Sequence, residues 1–454
     1  MSGPGKVGYV IFLGSTAALG GLLFGFDIAI ITGAGPYLAK QFALTDLGLG
    51  WVFSSLLFGC ALGCVIAGRL TDRWGRKKLL ILIAILFAAT SVETALASNF
   101  TALVAARFLA GLAVGGVSLL SPMYAAEVSP AAMRGRLGTL YQLSIIVGIL
   151  ISFGLNYLLR NTGANNWRWM FLTGVVPSAL FLLFVSIAPE TPRFLAMKGR
   201  DRAALAVLER ITDATHAQLQ LDEIRRTQSS KARSWHGLLR PGVRRPLVVS
   251  VVLAVLIHVS GINTVIDYAL SIFQSAGWKI DTALASTFLV GITEFLFTLV
   301  SFWAIDRYGR KPLYIIGSFG MTLSLSLLIV AVLTGRFHGA VVLTLILAYI
   351  AFFAACIGPV FWTLVPEIFP NDMRGLAMTF PVLTQWIANA LVVLLFPFAF
   401  HVIGKAATFG FLATMALAQA IFTWIRVPET RNKSLEEMES HWAADSARIR
   451  KAAD

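Results

Sequence analysis

This sequence predicts an all-α membrane protein: twelve transmembrane helices in two pseudo-symmetric six-helix bundles, joined by a cytoplasmic helical linker. Three observations predict it. The 454 residues are 57% apolar and only 13% charged, about half the 25% charge of an ordinary soluble domain. The mean hydropathy of +0.77 is more than a water-facing surface tolerates. Twelve apolar runs are long enough to span, and a set of charged motifs follows them twice. A disulfide scaffold is excluded, because the three cysteines, Cys60, Cys64 and Cys356, all lie inside apolar runs.

A span needs about 20 apolar residues. Six such runs fall at Tyr9–Ala34, Leu47–Gly68, Leu79–Ala97, Thr101–Ala126, Leu137–Leu159 and Trp169–Ala188. After a polar stretch, six more fall at Leu247–Ala276, Ala283–Ile305, Leu313–Leu333, Ala340–Val365, Leu376–Phe400 and Ala406–Val427. The first run is too long for the core of a signal peptide. This divides the chain into an N-terminal bundle (1–188), a cytoplasmic linker (189–245), a C-terminal bundle (246–427) and a cytoplasmic tail (428–454).

The net charge of +14 is a topology signal. The odd-numbered loops hold only Lys40, Arg160, Arg168, Lys279, Arg336 and Lys405, and Arg107 lies inside a span. Thirty of the 37 basic residues occupy the N-terminus, the even-numbered loops and the C-terminus. The positive-inside rule then places both termini in the cytoplasm, short termini with no organelle signal point to a cytoplasmic (inner or plasma) membrane, and nucleic acid is not an expected partner. In the linker, Leu205, Val207, Leu208 and Ile211 form one apolar helical stripe, and Leu219, Leu221 and Ile224 begin another.

The chain repeats itself. Asp72-Arg73-Trp-Gly75-Arg76-Lys77 after span two matches Asp306-Arg-Tyr-Gly309-Arg310-Lys311 after span eight, 234 residues on. Glu127 to Arg134 after span four matches Glu367 to Arg374 after span ten, offset by 240, and Pro189-Glu190-Thr191 matches Pro428-Glu429-Thr430, offset by 239. Recurrence in one order at nearly one offset indicates two homologous bundles. Each motif sets an acid and an arginine at the cytoplasmic end of a span. Asp72, Arg73, Arg76, Glu127, Arg134, Glu190, Asp306, Arg310, Glu367, Arg374 and Glu429 are therefore expected to form a salt-bridged cytoplasmic gate that clamps the halves together.

With these motifs the sequence resembles the sugar porter family of the major facilitator superfamily, which includes proton–xylose symporters and facilitative glucose transporters. The resemblance spans nearly the whole chain. It rests also on Gly20-Gly-Leu-Leu-Phe24-Gly25-Phe-Asp27, Pro122-Met-Tyr-Ala-Ala-Glu127, Pro189-Glu-Thr-Pro-Arg193-Phe, Gly261-Ile-Asn263, Gly358-Pro-Val-Phe-Trp362 and Gln385-Trp386-Ile-Ala-Asn389. It implies the major facilitator fold, and the linker resembles the helical cytoplasmic domain such carriers have between their halves.

Ionisable groups inside spans cost at least about 2.5–3.5 kcal/mol each at mid-bilayer. Asp27 and Arg107 are the natural pair, since an aspartate beside an arginine can alternate between ion-paired and protonated forms. The resemblance implies the same two positions for proton coupling. A polyhydroxylated solute needs donors, acceptors and a flat apolar face. Gln142, Asn263, Gln385 and Asn389 offer bifunctional amides, and Phe24, Trp362 and Trp386 offer stacking surface. The resemblance implies sugar contacts for Gln142, Asn263, Trp362, Gln385 and Trp386, converging on the interface of the halves.

The departures bear on specificity. Ile257 and His258 stand where sugar porters carry a Gln-Gln pair, Ile149 replaces a glutamine, and Glu294 sits where an amide is frequent. Asp267-Tyr268 replaces a tyrosine pair at the outer gate, with Asp267 expected near solvent. His258 and Glu294, both near mid-membrane, have three open roles: binding substrate hydroxyls, pairing with each other, or adding a titrating site. A linear polyol, a cyclitol or an unusual sugar stands beside an ordinary hexose.

The sequence therefore reads as a secondary active transporter that moves a monosaccharide or polyol with a proton, by alternating access. It is expected to be a monomer in the lipid bilayer, with no cofactor or metal. The alternatives are an uncoupled facilitator and a non-transporting sugar sensor, the latter disfavoured by a short tail. No phosphate cradle, metal-ligand cluster or nucleophile with a nearby base is visible, which argues against an enzyme or an ATP-driven pump.

Overall fold

The computed structural model describes residues 4–229, 238, 241–369, 373–431, 433, 437–438 and 442. Every regular element among them is helical, and twelve helical stretches are long and apolar enough to cross a membrane. The chain gathers into two compact units, Met1–Ala43 with Ser55–Ala232 and Leu44–Ser54 with Arg233–Asp454.

In the first unit, α1 (Pro4–Gln41), α2 (Asp46–Trp74), α3 (Arg76–Leu96), α4 (Phe100–Glu127) and α5 (Ala131–Leu159) are single rods. The sixth span is built from α6 (Asn166–Leu172) and α7 (Val175–Ile187), separated at Thr173-Gly174. Small residues let α2 and α4 close up. A Cβ on Gly59, Gly63 or Gly115 would run into backbone of the facing helix, the close packing that small residues permit in membranes.

Three short linker helices follow: α8 (Pro192–Met197), α9 (Asp201–Ile211) and α10 (Ala214–Ser229). Their core is Leu195, Ala196, Ala204, Leu208, Ala217 and Leu221, with Leu205, Val207 and Ile224 packed on it. Leu219 departs from the expected stripe and is exposed. Its place is taken by Ala217, because residues two apart on a helix cannot share a face whereas 217, 221 and 224 do. Asp213 caps α10, accepting the His216 N–H at 3.0 Å and facing the His216 ring at 2.8 Å. These two hydrogen bonds hold its carboxyl down at about 2.

The second unit holds α11 (Pro241–Val259), α12 (Ile262–Asp267), α13 (Ala269–Ser275), α14 (Ile280–Tyr308), α15 (Arg310–Leu333), α16 (Gly339–Cys356), α17 (Gly358–Glu367), α18 (Arg374–Ala377), α19 (Thr379–Phe398) and α20 (Lys405–Arg426). Two of its spans are discontinuous. The seventh breaks at Gly261 and ends at Asp267, short of the Ala276 expected from hydropathy, because the chain turns at Tyr268 into α13. The tenth breaks at Ile357, where Pro359 cannot donate into the preceding turn. Interrupted spans place unsatisfied backbone and polar side chains at membrane depth, where transporters form their sites.

Candidate transport site

In the first unit, α1 carries Asp27 and α4 carries Arg107, both buried (8% and 1% exposed). Arg107 Nη1 lies 3.3 Å from each Asp27 carboxylate oxygen, and Nη2 donates to the Asp27 carbonyl at 3.3 Å. The guanidinium sits 5.5 Å over the ring of Phe171. A tight charge-assisted bond runs about 2.7–2.9 Å, so this pair is loose, with one nitrogen shared between two oxygens. Such geometry holds the arginine close while leaving the carboxylate open to competition from a proton. Phe24, one turn before Asp27, is half-buried, as is Gln142 on α5.

The amides divide into two kinds. Asn156 donates to the Ile30 carbonyl at 3.3 Å, and Gln419 donates to Ser318 Oγ at 3.1 Å. These serve helix packing. Gln142, Asn263, Gln385 and Asn389 make no hydrogen bond among the described residues, although Gln385 and Asn389 are buried on one face of α19. Both atoms of the Asn389 amide are buried and unpartnered. Buried polar groups are ordinarily satisfied, so amides left open mark a place for a ligand or water.

On α19, Trp386 is buried beside Gln385, while Trp362 on α17 is exposed and edge-on to Phe361. His258 on α11 directs Nδ1 to the Ala254 carbonyl at 3.0 Å, and with Nδ1 donating that bond Nε2 is left to accept. Glu294 on α14 is buried with Oε2 unpartnered. Of the three roles open to these two groups, mutual pairing is not formed: among the described residues no ion pair joins them.

Asp267 departs from expectation. It is buried rather than solvated, because the span ends beneath the Tyr268 turn. Tyr268 is sandwiched between Phe53 at 4.6 Å and Phe396 at 5.1 Å, and its hydroxyl donates to the Val393 carbonyl at 3.0 Å. Phe53 and Phe396 were not expected at this position, since nothing in their local pattern separates them from core aromatics.

The charged motifs are built alike in the two units. Arg76 Nη2 meets Glu127 at 2.8 Å, and Arg310 Nη2 meets Glu367 at 2.9 Å. Glu190 accepts the N–H groups of Arg76 at 3.1 Å and Lys77 at 3.2 Å, opening α3. Glu429 accepts those of Arg310 and Lys311, each at 3.0 Å, opening α15. Each carboxylate thus caps a helix belonging to its own unit, where the helix dipole favours negative charge. These ion pairs staple three spans within each half.

Three expected members fit less well. Asp72 is 70% exposed and only 3.6 Å from Arg76. Arg73 and Asp306 are exposed and form no ion pair among the described residues. The side chains of Arg134 and Arg374 lie outside the described residues. Gly75 and Gly309, part of the repeated motif but assigned no role from it, share φ near +90°. The repeated Gly-Arg-Lys was the available signal.

A family model described as "Sugar (and other) transporter" matches residues 13–442. The chain is 36% identical over 444 residues to the arabinose-proton symporter of Bacillus subtilis, covering 96% of each chain. It is 36% identical to the major myo-inositol transporter of the same organism, covering 94% of this chain and 93% of the other. The xylose transporter from E. coli, in a partially occluded inward-open conformation, superposes with a TM-score of 0.84 at 33% identity, covering 94% of this chain and 100% of that one.

Proposed function

Because this chain belongs to the sugar transporter family, we propose that it is a multi-pass membrane carrier that moves a monosaccharide or polyol together with a proton, by alternating access. The observation that carries the coupled reading is the loose, buried Asp27–Arg107 pair. With Asp27 ionised, Arg107 is neutralised within the bundle. A proton on Asp27 frees Arg107 from it, so the charge of the unit changes by one with each proton loaded. The relatives at 36% identity are named for arabinose-proton symport and for myo-inositol, a pentose and a cyclitol. Both present a ring of hydroxyls.

Four open amides suit such a solute, since each offers a donor and an acceptor. Gln142, Asn263, Gln385 and Asn389 take the hydroxyls, with Trp362, Trp386 and Phe24 against the C–H faces. His258 Nε2 accepts one further hydroxyl, and Glu294 occupies the place of an amide in this set. Tyr268 and Asp267 close the outer end. Both termini face the cytoplasm in this reading, which the distribution of basic residues supports, and the carrier works as a monomer.

Each proton moved is driven by about 2.3 kcal/mol per 100 mV, about fiftyfold accumulation. The test is uptake of labelled pentoses, hexoses, polyols and cyclitols into proteoliposomes with and without an inward proton gradient. Asp27→Asn is expected to abolish accumulation and keep exchange down a gradient. Accumulation unchanged in Asp27→Asn would refute the assignment, and wild-type transport that only equilibrates would establish the uncoupled facilitator instead.

A further inference from the structure

The second unit includes Leu44–Ser54, the start of α2, while the rest of that helix from Ser55 is counted in the first. Asp46 stands in the first turn of α2. His401 stands in a π-helical turn, Ala399–Ile403, that ends the eleventh span. Asp46 Oδ1 and His401 Nδ1 are 2.7 Å apart, with side chains 33% and 53% exposed. Beneath them the packing is close. A Cβ on Gly50 would collide with the Leu394 carbonyl, and the rings of Phe53, Tyr268, Phe396 and Phe400 follow one another in a stacked column.

We propose that Asp46 and His401 form a proton-sensitive latch that holds the outer end of α2 against α19. Histidine is the side chain whose charge changes in the range pH 5 to 8. As a neutral ring His401 donates one ordinary hydrogen bond to Asp46; as an imidazolium it makes a charge-assisted one. Lys405 of α20 approaches the same Phe400 ring that His401 meets. Its ammonium lies 5.8 Å from the centre of the Phe400 ring, which in turn meets His401 edge-on at 5.7 Å. Lys405 Nζ donates to the Ser275 carbonyl at 3.0 Å.

The consequence is directional. Acid on the outer side strengthens the latch, so the protons that drive loading also hold the outer end shut once α2 has closed. On the alternating-access reading, opening the outer end separates Asp46 from His401. Both are positioning residues, acting through α2 rather than on the solute. The inference rests on the alternating-access reading. Its test needs no solute, so its failure would leave the Asp27→Asn experiment standing.

Phe53 lies two turns below Asp46 and is buried, so a Phe53→Cys thiol reacts from outside only when the latch is open. Its labelling rate with a membrane-impermeant maleimide is measured in oriented vesicles at pH 7.5 and 5.5. Dividing by the rate of Ser98→Cys, an exposed outer-loop position, removes the effect of thiol ionisation. Exposed ion pairs are weak, so the ratio is expected to fall about two- to fivefold at the lower pH. His401→Gln and Asp46→Asn should each abolish that fall, and the swap Asp46→His with His401→Asp should restore it. A fall that persists in His401→Gln, no fall in the parent, or a folded swap that does not restore it would each overturn the latch.

Discussion

Replacing Gly309 with alanine tests the helix-capping staple directly. Gly309 has φ 90° and ψ 172°, a region open essentially to glycine alone, and forcing another residue there costs about 1–3 kcal/mol. The new Cβ would also lie 2.7 Å from Glu429 Oε2. The carboxylate must then retreat from the N–H groups of Arg310 and Lys311, each held at 3.0 Å. A hydrogen bond to a charged group contributes about 1.5–3 kcal/mol, so losing or stretching one brings the total to about 3–5 kcal/mol. Gly277 is the control. It shares φ 90° but nothing lies within 4 Å of its Cβ, so Gly277→Ala should cost only about 1–2 kcal/mol. For a bundle of this size 1 kcal/mol moves Tm by about 2–4 °C. Thermal unfolding in detergent should therefore drop by about 10 °C for Gly309→Ala and by about 4 °C for Gly277→Ala. In a Glu429→Gly background the cost of Gly309→Ala should shrink to its backbone part. Equal losses at Gly309 and Gly277, or an undiminished cost in that background, would refute the cap.

Asn389→Ala should raise the KM for the transported solute about tenfold or more with little change in Tm, whereas Gln419→Ala, which breaks the bond to Ser318, should lower Tm by a few degrees and leave KM unchanged; uptake kinetics and thermal unfolding separate the two. Glu127→Gln leaves the buried Arg76 guanidinium with only the exposed Asp72 carboxylate, 3.6 Å away, and should destabilise the first unit by about 3 kcal/mol, read as a loss of Tm rather than of substrate affinity. Asp213 has a lowered folded carboxyl value, so its contribution to α10 is complete above the unfolded value near 3.9 and is lost as pH falls through about 2. Carbon-13 resonances of labelled aspartate should show it titrating there, and a midpoint near 4 would remove the cap.

Much of the architecture was legible because lipid imposes a simple rule: about 20 apolar residues per crossing, with charge pushed to the ends. The twelve spans, the all-helical class and the two copies of one motif set follow from that rule and from counting offsets. Asp27 and Arg107 were legible too, because an ionisable group within an apolar run must find a partner, and each is the other's. Hydropathy was less informative where a span ends in apolar residues. The turn at Tyr268 lies inside a continuous apolar run, and Leu219 looks as suitable for burial as Leu221.

The partners of the charged motifs could not be read from spacing. Asp72, Arg76, Glu127 and Glu190 occur together at the ends of three spans, and any pairing among them or with their counterparts satisfies the same composition. Only the packed helices decide that Glu190 reaches the first N–H groups of α3 and that Arg76 turns to Glu127, because those choices depend on which helix ends lie within about 3 Å of one another. The same holds for the amides. Asn156, Gln419, Gln385 and Asn389 are alike as residues in apolar helices; the first two meet a neighbour's oxygen and the last two do not. The sequence by itself determined the solvent, the number of crossings, the repeat and the buried ion pair, since these depend on composition and on order along the chain. Tertiary structure decided which polar side chains meet a partner and which are left open, since a hydrogen bond requires two groups, distant in sequence, to arrive at one place in the right orientation.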